Sequence, residues 1–269
     1  MMKKIITTTL AAGMAAALAS TVSAEEKTAV VVEEEAGMSV SVTMDFASAY
    51  VFRGVTFNDG FVIQPGIEAG GFGLPEEYGA VSVGAWANYD VDDYDGNLAS
   101  SEASEIDWYA SYSLPTLIDG LDLFVGYCDY TYPNAEGTSD KEANVGLGFD
   151  IAGIALGATA YYGIGGAVSG SAYYEFSAGY DLEITEEFAA SLGARMAYAD
   201  PDSGDDGFSD YDIGLGLSYV LSDVWSVGAS VTYIGQMDDD VLPDEDLNGT
   251  GDFGYDTEVV GMLSLAASF

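Results

Sequence analysis

From Met38 onward the chain alternates bulky apolar residues with small or polar ones at a period of two. That is the pattern of a strand whose two faces meet different surroundings. In "YDIGLGLSYV", Tyr211, Ile213, Leu215, Leu217 and Tyr219 share one face, while Asp212, Gly214, Gly216 and Ser218 share the other. "WSVGASVTY" sets Trp225, Val227, Ala229, Val231 and Tyr233 against Ser226, Gly228, Ser230 and Thr232. "YEFSAGYDL" and "FAASLGARMAY" repeat the arrangement, with Tyr174 and Tyr180, then Phe188 and Tyr198, as aromatic ends. Rings at both ends with aliphatics between suit a bilayer, whose two interfaces hold aromatic girdles around an apolar band.

The alternation predicts twelve strands, at 39–54, 61–72, 79–89, 104–114, 120–131, 142–151, 153–163, 172–182, 187–198, 209–220, 224–236 and 255–269. The connections sort by length. "GLPEEY", "PTLID", "AG", "EITE" and "LSD" are brief, whereas those between them are mostly longer and polar, ending with "MDDDVLPDEDLNGTGDFG". Only the first, "VTFND", is short where a long one is expected. Short turns on one rim and long loops on the other predict an all-β fold: a transmembrane antiparallel up-and-down β-barrel of about 12 strands over residues 38–269. A soluble β-sandwich would also alternate, but with charged outward positions and no sorting of its hairpins by length.

The start of the chain adds a compartment. "MMKKIITTTLAAGMAAALASTVSA" has Lys3 and Lys4, an apolar alanine-rich run and small residues ending at Ala24. This layout predicts a signal peptide over 1–24, Sec-type export, and a flexible acidic leader over 25–37. Beyond it no apolar run approaches the ~20 residues of a helical span. Tyr255, Val259, Leu263, Leu265 and the terminal Phe269 share one face of the last strand. A final aromatic on such a strand resembles the C-terminal signal that bacterial outer-membrane barrels present to their assembly machinery. The expected location is the bacterial outer membrane, with its lipid as a partner.

Composition narrows the chemistry. There are 45 acidic residues, 6 basic ones and no histidine. Nucleic acid is excluded as a partner, because binding it needs lysine and arginine to displace counterions. Ser-His hydrolase chemistry and the usual zinc sites cannot be built without histidine, so no enzyme activity is expected. The one cysteine, Cys128, lies on an inward register with no cation adjacent in sequence, which suits a bystander rather than a reactive thiol.

The opening of the barrel carries a resemblance. "SAYVFRGVTFNDGFVIQPGIEAGGF" is similar to the first hairpin of the TorF family of porins, with its Ser-x-Tyr-Val-Phe-Arg-Gly segment. "VSVGAWANYDVDD", "SEIDWYASYS" and "GYCDYTYPNAEG" resemble that family's next elements in order, over about residues 39–150. The resemblance implies an outer-membrane porin and no particular substrate.

The inward registers supply the candidate pore-lining residues: Asp45, Arg53, Glu68, Trp86, Glu105, Asp107, Asp122, Asp150, Glu175, Arg195, Asp212 and Glu258. Acids dominate them, and a lumen ringed by carboxylates concentrates cations. The function expected is passive diffusion of small hydrophilic solutes, cations preferred. A closed surface barrel bridged to neighbours by divalent ions is the alternative. Arg53, read in strand 39–54 with Tyr50 and Phe52 facing outward, is expected to face inward with Asp45. Asp244, Asp246, Asn248 and Asp252 in "DEDLNGTGD" match the start of a calcium loop, but its twelfth position is Tyr255 rather than a bidentate glutamate. No other cofactor is expected.

Overall fold

The alternating segments form the wall of a closed antiparallel barrel in the computed structural model, which describes residues 37–92, 101–118, 120–134, 137–242 and 258–269. The strands are β1 (Ser39–Ala47), β2 (Tyr50–Phe52), β3 (Val55–Asn58), β4 (Val62–Gly70), β5 (Ala80–Asp90), β6 (Glu102–Leu114) and β7 (Leu121–Thr131). They continue as β8 (Asp140–Ile151), β9 (Ile154–Gly165), β10 (Ala172–Glu183), β11 (Phe188–Asp200), β12 (Gly207–Val220), β13 (Trp225–Gln236) and β14 (Val259–Ser268). Twelve of them, β1 and β4 through β14, pair each with the next, and β1 closes on β14. Closure leaves no strand edge in the lipid, where an unpaired backbone group would cost several kcal/mol. The terminal residue takes part, since Val40 and Phe269 exchange both backbone hydrogen bonds.

The period of two now has a physical partner on each side. The aliphatics of the outward registers are open to the surroundings, with Leu215 57% and Leu263 61% exposed. Aromatic residues flank that band, Tyr219 and Trp225 near one rim and Tyr174, Tyr198 and Phe208 near the other. One rim carries the brief turns, among them Ala152-Gly153, where both residues have positive φ as a two-residue hairpin requires. We call this the turn end. The opposite loop end carries the connections after β5, β7, β9, β11 and β13.

The first strand departs from expectation. It ends at Ala47, and Ser48–Phe61 leaves the wall as a separate two-stranded hairpin, β2 with β3, folded into the barrel. The connection read as the short "VTFND" is therefore a long one at the loop end, like its counterparts. Its residues alternate as a strand does because the hairpin meets the barrel interior much as a wall strand meets lipid. Tyr50, expected to face outward, is 3% exposed inside the barrel, and Phe52 packs there as well. Among the described residues the last strand runs over Val259–Ser268; the expected start at 255–257 lies outside the described ones, as do 1–36 and the proposed calcium-loop residues Asp244, Asp246, Asn248 and Asp252.

Candidate functional site

The hairpin crosses the lumen at the loop end and touches wall strands on many sides. At its base, Ser48 is tied to β14 through backbone and hydroxyl bonds with Gly261, each 2.9 Å. Val51 joins an apolar cluster with Ile234, Val260 and Met262, which point inward from β13 and β14. On the opposite flank the Tyr50 phenol donates to Glu105 Oε2 at 2.6 Å, and its ring lies 5.6 Å from that of Trp86. Asn58 donates to Asp90 at 2.6 Å. Burial, then the neighbouring Glu105 and Asp107 carboxylates, push the Tyr50 phenol well above its ordinary pKa, so it remains a donor.

The tip is a two-residue turn, Arg53-Gly54, with φ of 51° and 78°. Such turns favour asparagine or glycine, and an arginine there costs about 1–2 kcal/mol of backbone strain. The side chain offsets it. Arg53 meets Glu142 of β8 fork to fork, Nη1 to Oε1 and Nη2 to Oε2, both at 2.8 Å. Hydrogen bonds to charged groups contribute roughly 1.5–3 kcal/mol each, enough to outweigh the turn. The guanidinium carbon also lies 4.2 Å from the Tyr173 ring centroid, 4.8 Å from Phe52 and 4.9 Å from Tyr161. Tyr130 donates a further bond to Glu142, at 2.8 Å. Burial opposes the Arg53 charge, yet Glu142 more than compensates and raises its pKa above the ordinary value.

Tyr173 joins this group to a second one. Its phenol accepts a bond from Arg195 Nη1 at 2.6 Å and donates to Asp210 at 2.9 Å. Arg195 also bonds Asp212 through Nε at 2.6 Å and Asp210 through Nη2 at 2.5 Å, with Glu175 3.7 Å away. Asp210 faces inward two residues from Asp212, and a register shift lies beside it. Met196 pairs with Tyr211 but Tyr198 with Phe208, so β12 has one residue more than β11 and buries Ser209 and Asp210 together. A bulge commonly re-aims a side chain in this way. The Gly54 backbone runs against Asp210, where a Cβ on Gly54 would come within 2.8 Å of the aspartate's own.

Of the residues proposed from the sequence, Arg53, Glu105, Asp107, Glu175, Arg195 and Asp212 lie at this loop-end constriction, with Trp86 beneath Tyr50. Arg53 faces inward as expected but reaches the site from the hairpin rather than the wall, and the carboxylate it pairs with is Glu142. Asp107 is fully buried beside Glu105, with whose carboxyl group it shares a hydrogen bond. Asp45 is buried on β1, Glu68 is half-buried on β4 and Asp122 on β7. Asp150 is exposed at the turn end, where it caps Gly153, and Glu258 is exposed just ahead of β14. Glu142, Asp210, Tyr130, Tyr161 and Tyr173 were not among the proposed residues. The inward-pointing Ile234, Val260 and Met262 were the available signal, because apolar side chains inside a barrel need something to cover them.

The turn-end half of the lumen is lined differently. Ser191, Gly193, Gly214, Gly216, Ser226 and Gly228 share the inward registers there, with Asp122 and Asp181 among the acids. Apart from Phe124, which covers Gly146, these side chains are small and fill little of a twelve-stranded bore. Among the described residues no cluster of three or more metal-ligating side chains occurs.

The family model described as "Bacterial protein of unknown function (Gcw_chp)" matches residues 32–268. No curated protein matches the chain. Among solved structures, the KdgM porin in complex with disordered oligogalacturonate is similar at a TM-score of 0.50 and 9% identity, covering 86% of this chain and 99% of its own. The NanC porin gives a TM-score of 0.47 at 11% identity, covering 86% and 98%. Outer membrane phospholipase A from Escherichia coli gives 0.47 at 12%, covering 85% and 91%. At such identities the likeness to the KdgM porin is one of fold: a closed antiparallel barrel of the outer-membrane kind.

Proposed function

This chain belongs to the Gcw_chp family of bacterial proteins, and for it we propose the role of a narrow outer-membrane channel that passes small hydrophilic solutes and prefers cations. The observation that carries the reading is the charge balance at the constriction. Arg53 and Arg195 stand there among Glu105, Asp107, Glu142, Glu175, Asp210 and Asp212. A ring with such an excess of carboxylate attracts cations and repels anions. A polyanion such as the oligogalacturonate held by the KdgM porin would enter this lumen against its charge. The TorF resemblance of the first hairpin favours the same porin reading. Export by the segment 1–24, assembly through the strand ending at Phe269, and residence in the outer membrane complete the proposal.

The test is a planar-bilayer recording across a potassium chloride gradient. A reversal potential favouring potassium is expected, and one favouring chloride overturns the cation preference. A second reading is favoured by the hairpin, whose base, flanks and tip are all tied to the wall: a barrel closed at its loop end, with acidic loops binding divalent ions outside. Absence of conductance in the wild-type chain, with current appearing once the hairpin is removed, would select it.

A further inference from the structure

Arg53 sits in a cage that the rest of the barrel builds. Phe52 and Arg53 come from the hairpin, but Glu142, Tyr130, Tyr161 and Tyr173 come from β8, β7, β9 and β10. Those wall residues make a two-oxygen acceptor beside aromatic faces, a shape matched to a planar guanidinium. An ammonium ion presents its donors as a point and cannot meet both carboxylate oxygens in one plane while lying flat on a ring. The cage also does not favour standing empty. Glu142 is 3% exposed, and a buried carboxylate left without its partner is strongly destabilising.

The resident group is held by a strained turn, at φ 51°, and its side chain is still 19% exposed to the lumen. The tip has few other ties; Gln236 donates to the Gly54 carbonyl at 3.3 Å. A solute of the same shape can therefore reach the cage, replace the arginine and release the tip without dismantling the hairpin's base.

We propose that the cage of Glu142, Tyr130, Tyr161 and Tyr173 is a binding site for small guanidinium-bearing cations, and that Arg53 occupies it as an intramolecular stand-in. The proposal deepens the channel reading and rests on it for the route by which the solute arrives. Solute binding and opening then become one event, because the incoming cation takes over the contacts that keep the hairpin tip across the lumen.

The experiment uses the full chain carrying Arg53→Ala, with methylguanidinium as probe and tetramethylammonium and sodium as controls. In planar bilayers Arg53→Ala is expected to conduct more than wild type, and methylguanidinium to reduce that current at concentrations about tenfold below tetramethylammonium, the advantage of a bidentate pair. Adding Glu142→Gln should abolish the difference while the channel still conducts. Equal potency of the two organic cations, or block that survives Glu142→Gln, overturns the proposal. Calorimetry on the detergent-solubilised protein gives a readout independent of conduction: methylguanidinium should bind Arg53→Ala and the milder Arg53→Lys, and bind wild type at least tenfold more weakly. If no form conducts yet calorimetry shows this pattern, the channel reading fails and the cage stands. Absence of binding in a folded variant removes the cage and leaves the channel.

Discussion

The two halves of the lumen share one wall and differ in almost everything else. Toward the turn end the inward registers carry mostly glycine, serine and alanine, with Ser226, Gly228 and Ser230 following one another along β13. Toward the loop end the same strand carries Thr232 and Ile234, and β12, β10 and β8 bring Asp210, Asp212, Tyr173 and Glu142 around an inserted hairpin. The contrast teaches that the barrel sets the bore while the hairpin and its partners set the aperture. In the proposed channel, selectivity and gating would then belong to the hairpin together with the wall residues that hold it at the loop end.

Replacing Ala49–Gly60 by a short Gly-Ser linker should break that contrast most completely. Without the hairpin the loop end loses its obstruction, and single-channel conductance should rise several-fold, because the remaining wall determines the aperture. An unchanged conductance would mean that the constriction lies elsewhere. The next largest effect is expected from Asp210→Asn with Asp212→Asn. Arg195 would lose both short carboxylate contacts and keep Glu175, 3.7 Å away. Breaking a buried pair typically costs about 3–5 kcal/mol, so a lower unfolding temperature in detergent should accompany a reversal potential shifted toward anions.

The wall was far more legible in the sequence than the aperture. Tyr211–Tyr219 and Trp225–Tyr233 announce their faces because lipid on one side and water on the other impose a period of two on every strand they touch. The hairpin escaped for the same reason. "AYVFRGVTF" keeps that period, and alternation does not say whether the apolar side meets lipid or the inside of the barrel. Arg53-Gly54 between alternating residues was a turn signal that the absence of asparagine disguised. At the site, Arg195, Asp212 and Asp210 all follow the inward period of two; what the sequence did not show is the shift beside Met196, which buries Ser209 as well as Asp210. Glu142 keeps the inward register of Asn144, opposite Cys128, so period two reached it; what the sequence did not show was its partner, Arg53 on the hairpin. Periodicity locates a face; it does not locate a bulge or a partner six strands away.

A smaller effect tests the packing of the wall between the two halves. The Phe124 ring covers Gly146 of the neighbouring strand, so that a Cβ there would lie 2.2 Å from the ring's Cζ. Gly146→Ala forces the ring off its seat, and overpacking of this kind costs about 1–3 kcal/mol. A lower temperature for the heat-induced mobility shift on gels is expected, with conductance of the surviving channels little changed. If conductance fell sharply as well, Phe124 would belong to the aperture and the boundary between the halves would move toward the turn end.

The smallest effect is expected from Ser226→Phe, and it tests the other side of the comparison. Ser226 lies on the inward register of β13 near the turn end, paired across to Val220 and Ala266. A phenyl group there adds bulk in a half lined mostly by small residues, which in the proposed channel would contribute the smaller share of the resistance. Conductance should therefore fall by no more than about a fifth, since series resistance is dominated by the narrowest segment. In the hairpin-excised channel the same substitution should matter more, because the loop end no longer dominates. A large loss in the wild-type background would place the narrowest segment at the turn end and leave the hairpin as a structural insert. A loss that grows only after excision would assign the aperture to the hairpin and the bore to the wall.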